Sequence, residues 1–140
     1  MKIIIIIIVI CSLFVSCDIL NSSKSGEIEI KVVPEVSSIG DPVKLVIKNQ
    51  TKQTVRYICG HIVERKQNEE WVEHTVTGCA NAFPEEIQPG KVYEQDNFLL
   101  APSEIGYYRA IVFVQSKTDQ DISETKRVSN PVKFVDTNNE

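Results

Sequence analysis

Between Glu27 and Lys48 the chain alternates in a way that only an extended backbone can use. Ile28, Ile30 and Val32 fall against Glu27, Glu29 and Lys31, and Val43, Leu45 and Ile47 fall against Lys44 and Lys48. Successive side chains on a strand point to opposite faces, so each run gives a strip with one apolar and one polar side. Ser37 to Pro42 supplies the Gly and Pro of a turn between the two runs, and Asn49 to Lys52 closes the second. A longer run from Thr54 to Lys66 follows, with Gly60 inside it marking a bulge. Lys66 to Glu70 then reads as a hairpin tip before Trp71 to Thr77.

Gln88-Pro89-Gly90 is a turn signature, and after it come Val92 to Leu100, Tyr107 to Gln115 and Arg127 to Val135, the last two separated by the polar stretch Ser116 to Thr125. No segment of helical length carries an apolar stripe, and β-branched residues dominate the runs. About seven short strands with regularly spaced turns predict an all-β, antiparallel sandwich, with a small barrel as the alternative. A composition of 42% hydrophobic and 24% charged residues over 140 residues is that of an ordinary globular chain and leaves room for one domain. The formal charge of −4 argues against nucleic acid or anionic lipid as a partner, because either would ask for a basic stripe.

The first residues have a different character. Lys2 is followed by a run from Ile3 to Ile10 that is almost all isoleucine, then Cys11 to Ser16 without a charge. A positive start, a short apolar run and a small residue before a break make a secretory signal, too short for the roughly 20 residues of a spanning helix. Leu13-Phe14-Val15-Ser16-Cys17 resembles the lipobox of bacterial lipoproteins, in which the cysteine is acylated and the signal is cut just before it. Cys17 fits better than Cys11, which is preceded by the bulky Ile10; Phe14 stands where leucine is usual. The resemblance implies a signal over residues 1–16, a lipid on Cys17 that holds the protein at a membrane, and a domain outside the cytoplasm. Cleavage removes Lys2 from the 15 basic residues, leaving 14 against 19 acidic ones. Residues 17–26 are small and polar and read as a tether. The sandwich is expected over 27–135, with 136–140 as a tail.

Glu104-Ile105-Gly106-Tyr107-Tyr108-Arg109-Ala110 resembles the signature at the start of strand F in immunoglobulin-like domains, with Tyr108 in the role of the tyrosine corner and Ala110 where antibody domains place a cysteine. Together with Tyr57-Ile58-Cys59, Trp71-Val72, Cys79, Ile87 to Gly90 and Ser129-Asn130-Pro131, this stretch is similar to immunoglobulin-like domains of small bacterial lipoproteins and, in order, to the bacterial intracellular proteinase inhibitor domain. The resemblance covers residues 27–135 and implies an immunoglobulin-like fold; its motifs are structural, not catalytic.

With Cys17 acylated and Cys11 discarded, Cys59 and Cys79 are left in an oxidising compartment, where a disulfide between them is expected. It closes a loop of about 20 residues, worth about 3 kcal/mol by chain entropy. The alternative is a metal site, since Cys59, His61, His74 and Cys79 supply the ligand types of a structural zinc, although their spacing matches no familiar pattern.

No nucleophile-elbow, metalloprotease, phosphate-loop or Cys-x-x-Cys motif occurs, and the adjacent pairs Glu69-Glu70 and Glu85-Glu86 point opposite ways on an extended chain, so no catalytic site or cofactor is expected. Asn49-Gln50-Thr51 has the form of a glycosylation sequon and reads as a turn in a bacterial chain. These readings converge on a membrane-anchored binding or assembly module of the cell envelope, engaging an envelope or secreted protein. The expected surface is the loop Ala80 to Glu86, where Phe83 and Pro84 stand beside Glu85 and Glu86. The alternative, prompted by the inhibitor resemblance, is a protease or other hydrolase inhibitor using that loop or the Ser116 to Thr125 connection.

Overall fold

The computed structural model describes residues 27–78, 84–98, 100–117 and 122–136. Among them are ten strands: β1 (Ile28–Val33), β2 (Val36–Ser38), β3 (Val43–Asn49), β4 (Val55–Gln67), β5 (Glu70–Thr77), β6 (Glu85–Ile87), β7 (Val92–Phe98), β8 (Gly106–Lys117), β9 (Ile122–Val128) and β10 (Val132–Val135). They form two sheets. One has the order β1-β3-β7, and the other β2-β10-β8-β4-β5, with β6 added along β4 and β9 along β8. The fold is an all-β sandwich.

The alternating residues face each other across the interior. Ile30 pairs with Ile47 and Val32 with Leu45 in the first sheet; Tyr57 pairs with Val114, His61 with Val112 and Val63 with Ala110 in the second. Val32, Leu45, Ile47, Val55, Val63 and Val112 are wholly buried. Inward alternation of this kind, each strand offering one face to the other sheet, is what makes two half-apolar sheets stable only as a pair.

Several elements depart from the sequence expectation. Val36–Ser38, which overlaps the turn expected from Ser37 to Pro42, is a strand, and it pairs parallel to β10, so the second sheet is not purely antiparallel. Past the cis Val33–Pro34 bond the chain leaves β3 and joins the other sheet. The polar stretch after Gln115 belongs largely to a hairpin: β8 runs to Lys117 and β9 begins at Ile122, with Gln115 paired to Glu124 and Val114 to Thr125. The last predicted strand is broken at Ser129 to Pro131. There the Ser129 hydroxyl accepts from the Ala110 N–H at 3.0 Å and donates to the Asn130 carbonyl at 2.8 Å. Asn130 uses its side-chain amide as a substitute strand, accepting from the Val32 N–H at 2.8 Å and donating to the Val32 carbonyl at 3.0 Å, which ties β1 of one sheet to the β9–β10 junction of the other.

The hairpin tip between β4 and β5 is the two-residue turn Asn68-Glu69, both at positive φ, the backbone twist that two-residue hairpins need. Gly60 sits in a β4 bulge, where Cys59 and Gly60 are inserted between Ile58 and His61 opposite the Phe113 to Val112 step of β8. Its φ of 116° favours glycine, and an added Cβ would stand a tight 3.2 Å from the Thr77 carbonyl oxygen.

Tyr57 spans the interior from β4, its hydroxyl donating to Gln95 at 3.3 Å and its ring 5.5 Å from Tyr93. Burial, with a smaller contribution from Tyr93, pushes its phenol up to about 12. An unfolded tyrosine ionises near pH 10. Because the folded value is raised, the stability that the neutral phenol contributes is whole below pH 10 and is lost as pH rises through 12. Denaturation between pH 9 and 12 is therefore expected to show a steep alkaline loss, smaller in Tyr57→Phe. Phenolate absorbance giving an ordinary value near 10 for this residue in the folded protein would rule this out.

Candidate interaction face

β4 and β8 lie at the centre of the second sheet, and in a sandwich the outward residues of such strands ordinarily meet water. Here they are apolar. Ile58 and Ile62 of β4, Ile111 and Phe113 of β8, Val76 of β5 and Val128 of β9 alternate with the buried residues and so stand on the outer face. Val76 is 62% and Val128 48% exposed; the other four are half-buried. The register sets Val128, Ile111, Ile62 and Val76 in one row across four strands, with Phe113 and Ile58 in the next.

A row of charges bounds this belt on each side. On one side Glu64 of β4 pairs with Arg109 of β8 at 2.6 Å, and the Arg109 guanidinium lies over the Trp71 ring, 4.2 Å from its centroid. Both ion-pair side chains are half-buried, and stacking on the indole holds the guanidinium in one orientation. On the other side Arg56 makes a two-pronged contact with Glu86 Oε1, from Nε at 3.0 Å and Nη2 at 2.7 Å, beside Gln115 and Glu124. The bulge at Cys59-Gly60 opens a depression of about 250 Å³ in the belt, lined by Ile58, Cys59, Gly60, Val76, Phe113 and Glu124.

Of the residues singled out in the sequence, Glu85 and Glu86 are exposed but belong to strand β6, paired with Tyr57 and Arg56, so that end of the expected loop is part of a sheet edge. Pro84 precedes it, exposed; Phe83, Cys79 and Cys17 lie outside the described residues. Tyr108 is wholly buried, its hydroxyl donating to the Glu104 carbonyl at 2.9 Å and accepting from the Glu104 N–H at 3.3 Å. Both histidines are occupied: His61 is buried 4.1 Å from the Phe98 ring, and the half-buried His74 packs edge-on to Tyr108 with Nε2 3.0 Å from the Ala101 carbonyl. Among the described residues no group of three or more His, Cys, Asp and Glu is placed to hold a metal ion. Asn49, the sequon asparagine, is the last residue of β3 and is wholly buried with both amide atoms bonded.

Sequence reasoning missed the belt, although it left a trace. Ala110-Ile111-Val112-Phe113-Val114 is apolar at both parities, and a central sandwich strand apolar at both parities has an apolar outer face.

No family model and no curated protein matches the chain. A solved structure described as the X-ray structure of Northeast Structural Genomics Consortium target SoR45 is similar over 83% of this chain and 90% of that one, at 16% identity and a TM-score of 0.48.

Proposed function

We propose that this chain is a lipid-anchored, non-catalytic binding module of a bacterial cell envelope: Cys17 carries the lipid, residues 17–26 form the tether, and the immunoglobulin-like sandwich engages a protein through the outer face of β9-β8-β4-β5. The observation that carries the reading is the belt of six apolar side chains on an outward face between two ion pairs, Glu64–Arg109 on one side and Arg56–Glu86 on the other. Contiguous exposed apolar surface with a polar rim is the mark of a protein contact. The lipobox at Leu13 to Cys17 supports the anchor. A Cys59–Cys79 disulfide fits the same picture. The last described pair of the β4–β5 ladder is His61 with Thr77, two residues from each cysteine in sequence. Cys59 does have an interaction partner. The bridge would pin the sheet edge beside the depression.

In-cell photocrosslinking of the full chain tests this. A crosslinker at position 62 is expected to capture a protein, whereas one at Lys48, exposed on the other sheet, captures none, and Cys17→Ser is expected to move the chain out of the membrane fraction. A folded chain that captures nothing from position 62 removes the binding reading. Retention of Cys17→Ser in the membrane removes the anchor.

A further inference from the structure

We infer that the partner on this face is a second copy of the chain, packed face to face about a two-fold axis that runs along the strands between β4 and β8. The inference rests on the binding reading above and names its partner. A two-fold interface must be complementary to itself, and the register allows that to be checked residue by residue. An axis in this direction lays β8 of one copy on β4 of the other, and β9 on β5. Ile111 then meets Ile62, Phe113 meets Ile58 and Val128 meets Val76, so all six apolar residues find apolar partners. Turning the axis across the strands instead sets Val128 against Lys126 and breaks the belt. Both arrangements keep the strands of the facing sheets nearly aligned, as packed sheets prefer, so the side-chain match decides between them.

At Arg109 and Glu64 the charges match under the same operation. Arg109 of each copy faces Glu64 of the other, and since each already holds its own neighbour at 2.6 Å, the two pairs close into a ring of four alternating charges. Arg109 has N–H groups to spare for this, because a guanidinium carries five donors, and the Trp71 ring beneath it fixes the plane in advance. At the far corner Glu124 meets Glu86, with Lys126 and Arg56 adjacent.

The size is sufficient. Four strands about 4.8 Å apart and about nine residues at 3.3 Å make a flat patch of roughly 550 Å² per copy, or about 1,100 Å² in all, which reaches the roughly 1,000 Å² that a specific interface requires.

The experiment is co-purification of two differently tagged full-length chains from detergent-solubilised membranes, with a photocrosslinker at position 111. Wild-type chains are expected to co-purify. Arg109→Glu gathers four acids at the ring and Glu64→Arg four bases, so each variant is expected to lose at least tenfold in self-capture. Mixing the two sets a pair of acids on one copy against a pair of bases on the other, so both contacts across the interface join opposite charges, and is expected to restore capture. Arg109→Glu with Glu64→Arg in one chain keeps the pair inside each copy as well and is expected to self-associate, which separates loss of the interface from loss of fold. The crosslink from 111 is expected in the peptide that contains Ile62. Wild-type chains that do not co-purify, or a mixture that restores nothing, overturn the inference. A crosslink to a different protein also overturns it while leaving the binding reading in place; no crosslink to any protein overturns both.

Discussion

Tyr108→Ala is expected to cost about 5 kcal/mol and to leave the protein close to unfolding. The ring is wholly buried at the start of β8, edge-on to Phe134 with centroids 5.6 Å apart and to His74 at 5.3 Å, and the Arg65 guanidinium lies 5.8 Å from its centroid. Truncating a buried aromatic removes its transfer free energy and leaves a hole that packed sheets cannot close, about 3–5 kcal/mol. The hydroxyl contributes separately. It bonds both backbone groups of Glu104, four residues upstream, and so holds the chain that carries the crossover into β8. Tyr108→Phe isolates that part and is expected to cost about 1–2 kcal/mol, since water reaches the part-buried Glu104 backbone and replaces some of what is lost. A small domain has only about 5–15 kcal/mol in total, so the alanine variant should show a much lower urea midpoint or none. Equal losses for Phe and Ala would mean that the ring packs no better than a methyl group, against the burial seen here.

The interior was more legible in the sequence than the elements that join the sheets. Alternation at Ile28, Ile30, Val32 and at Val43, Leu45, Ile47 is local, and burying one face of a strand forces it, so β1, β3 and the inner sides of β4 and β8 could be read directly. β2 could not. Val36-Ser37-Ser38 lies between Pro34 and Gly40, residues that signal a turn, and it becomes a strand only because β10, about a hundred residues away, lends it an edge. β6 was hidden for a related reason: Glu85 and Glu86 do not look like a strand until Arg56 stands across from them. The polar run in β9 misled because a hairpin that extends past the packed part of a sheet has no apolar partner to face.

The same limit applies to the candidate site. The loop Ala80 to Glu86 was conspicuous because an aromatic, a proline and two acids stand together in sequence. The belt is assembled from four strands and becomes contiguous only through the register. Ile58 and Ile62 sit in a run where Tyr57, His61 and Val63 point the other way, and hydrophobicity alone cannot tell which parity faces the second sheet. What the sequence did contain was the excess: β8 holds more apolar residues than one interior face can take.

Asn49→Ala should be the most costly polar substitution described here, at about 3–4 kcal/mol. The side chain is wholly buried at the end of β3 and makes four bonds: Nδ2 donates to the carbonyls of Gln53 and Ile87, each at 2.8 Å, while Oδ1 accepts from the Thr51 N–H at 3.0 Å and the Thr51 hydroxyl at 2.7 Å. The amide thus closes the turn after β3 and fastens it to the last residue of β6, from which the chain crosses to β7 in the other sheet. Backbone bonds complete the joint, the Asn49 N–H donating to the Lys91 carbonyl at 3.0 Å and the Gly90 N–H to the Asn49 carbonyl at 2.8 Å. Alanine leaves the Ile87 carbonyl without a partner where little water can enter, a penalty of about 1–3 kcal/mol, and each of the other bonds adds about 0.5–1.5 kcal/mol less whatever water recovers. Asn49→Asp separates the two halves. It keeps the acceptor for Thr51 but turns both donors into an oxygen facing two carbonyls, so it is expected to cost at least as much as alanine at neutral pH and to recover in part at a pH low enough to protonate the carboxyl. Urea denaturation of the three proteins at pH 7 and pH 4 makes the measurement, with a midpoint shift of about 2 M expected for alanine if the slope is near 1.5 kcal/mol per molar. A loss below 1 kcal/mol in both variants would show that the two carbonyls find other donors, and that the crossover from β6 to β7 is held by its backbone alone.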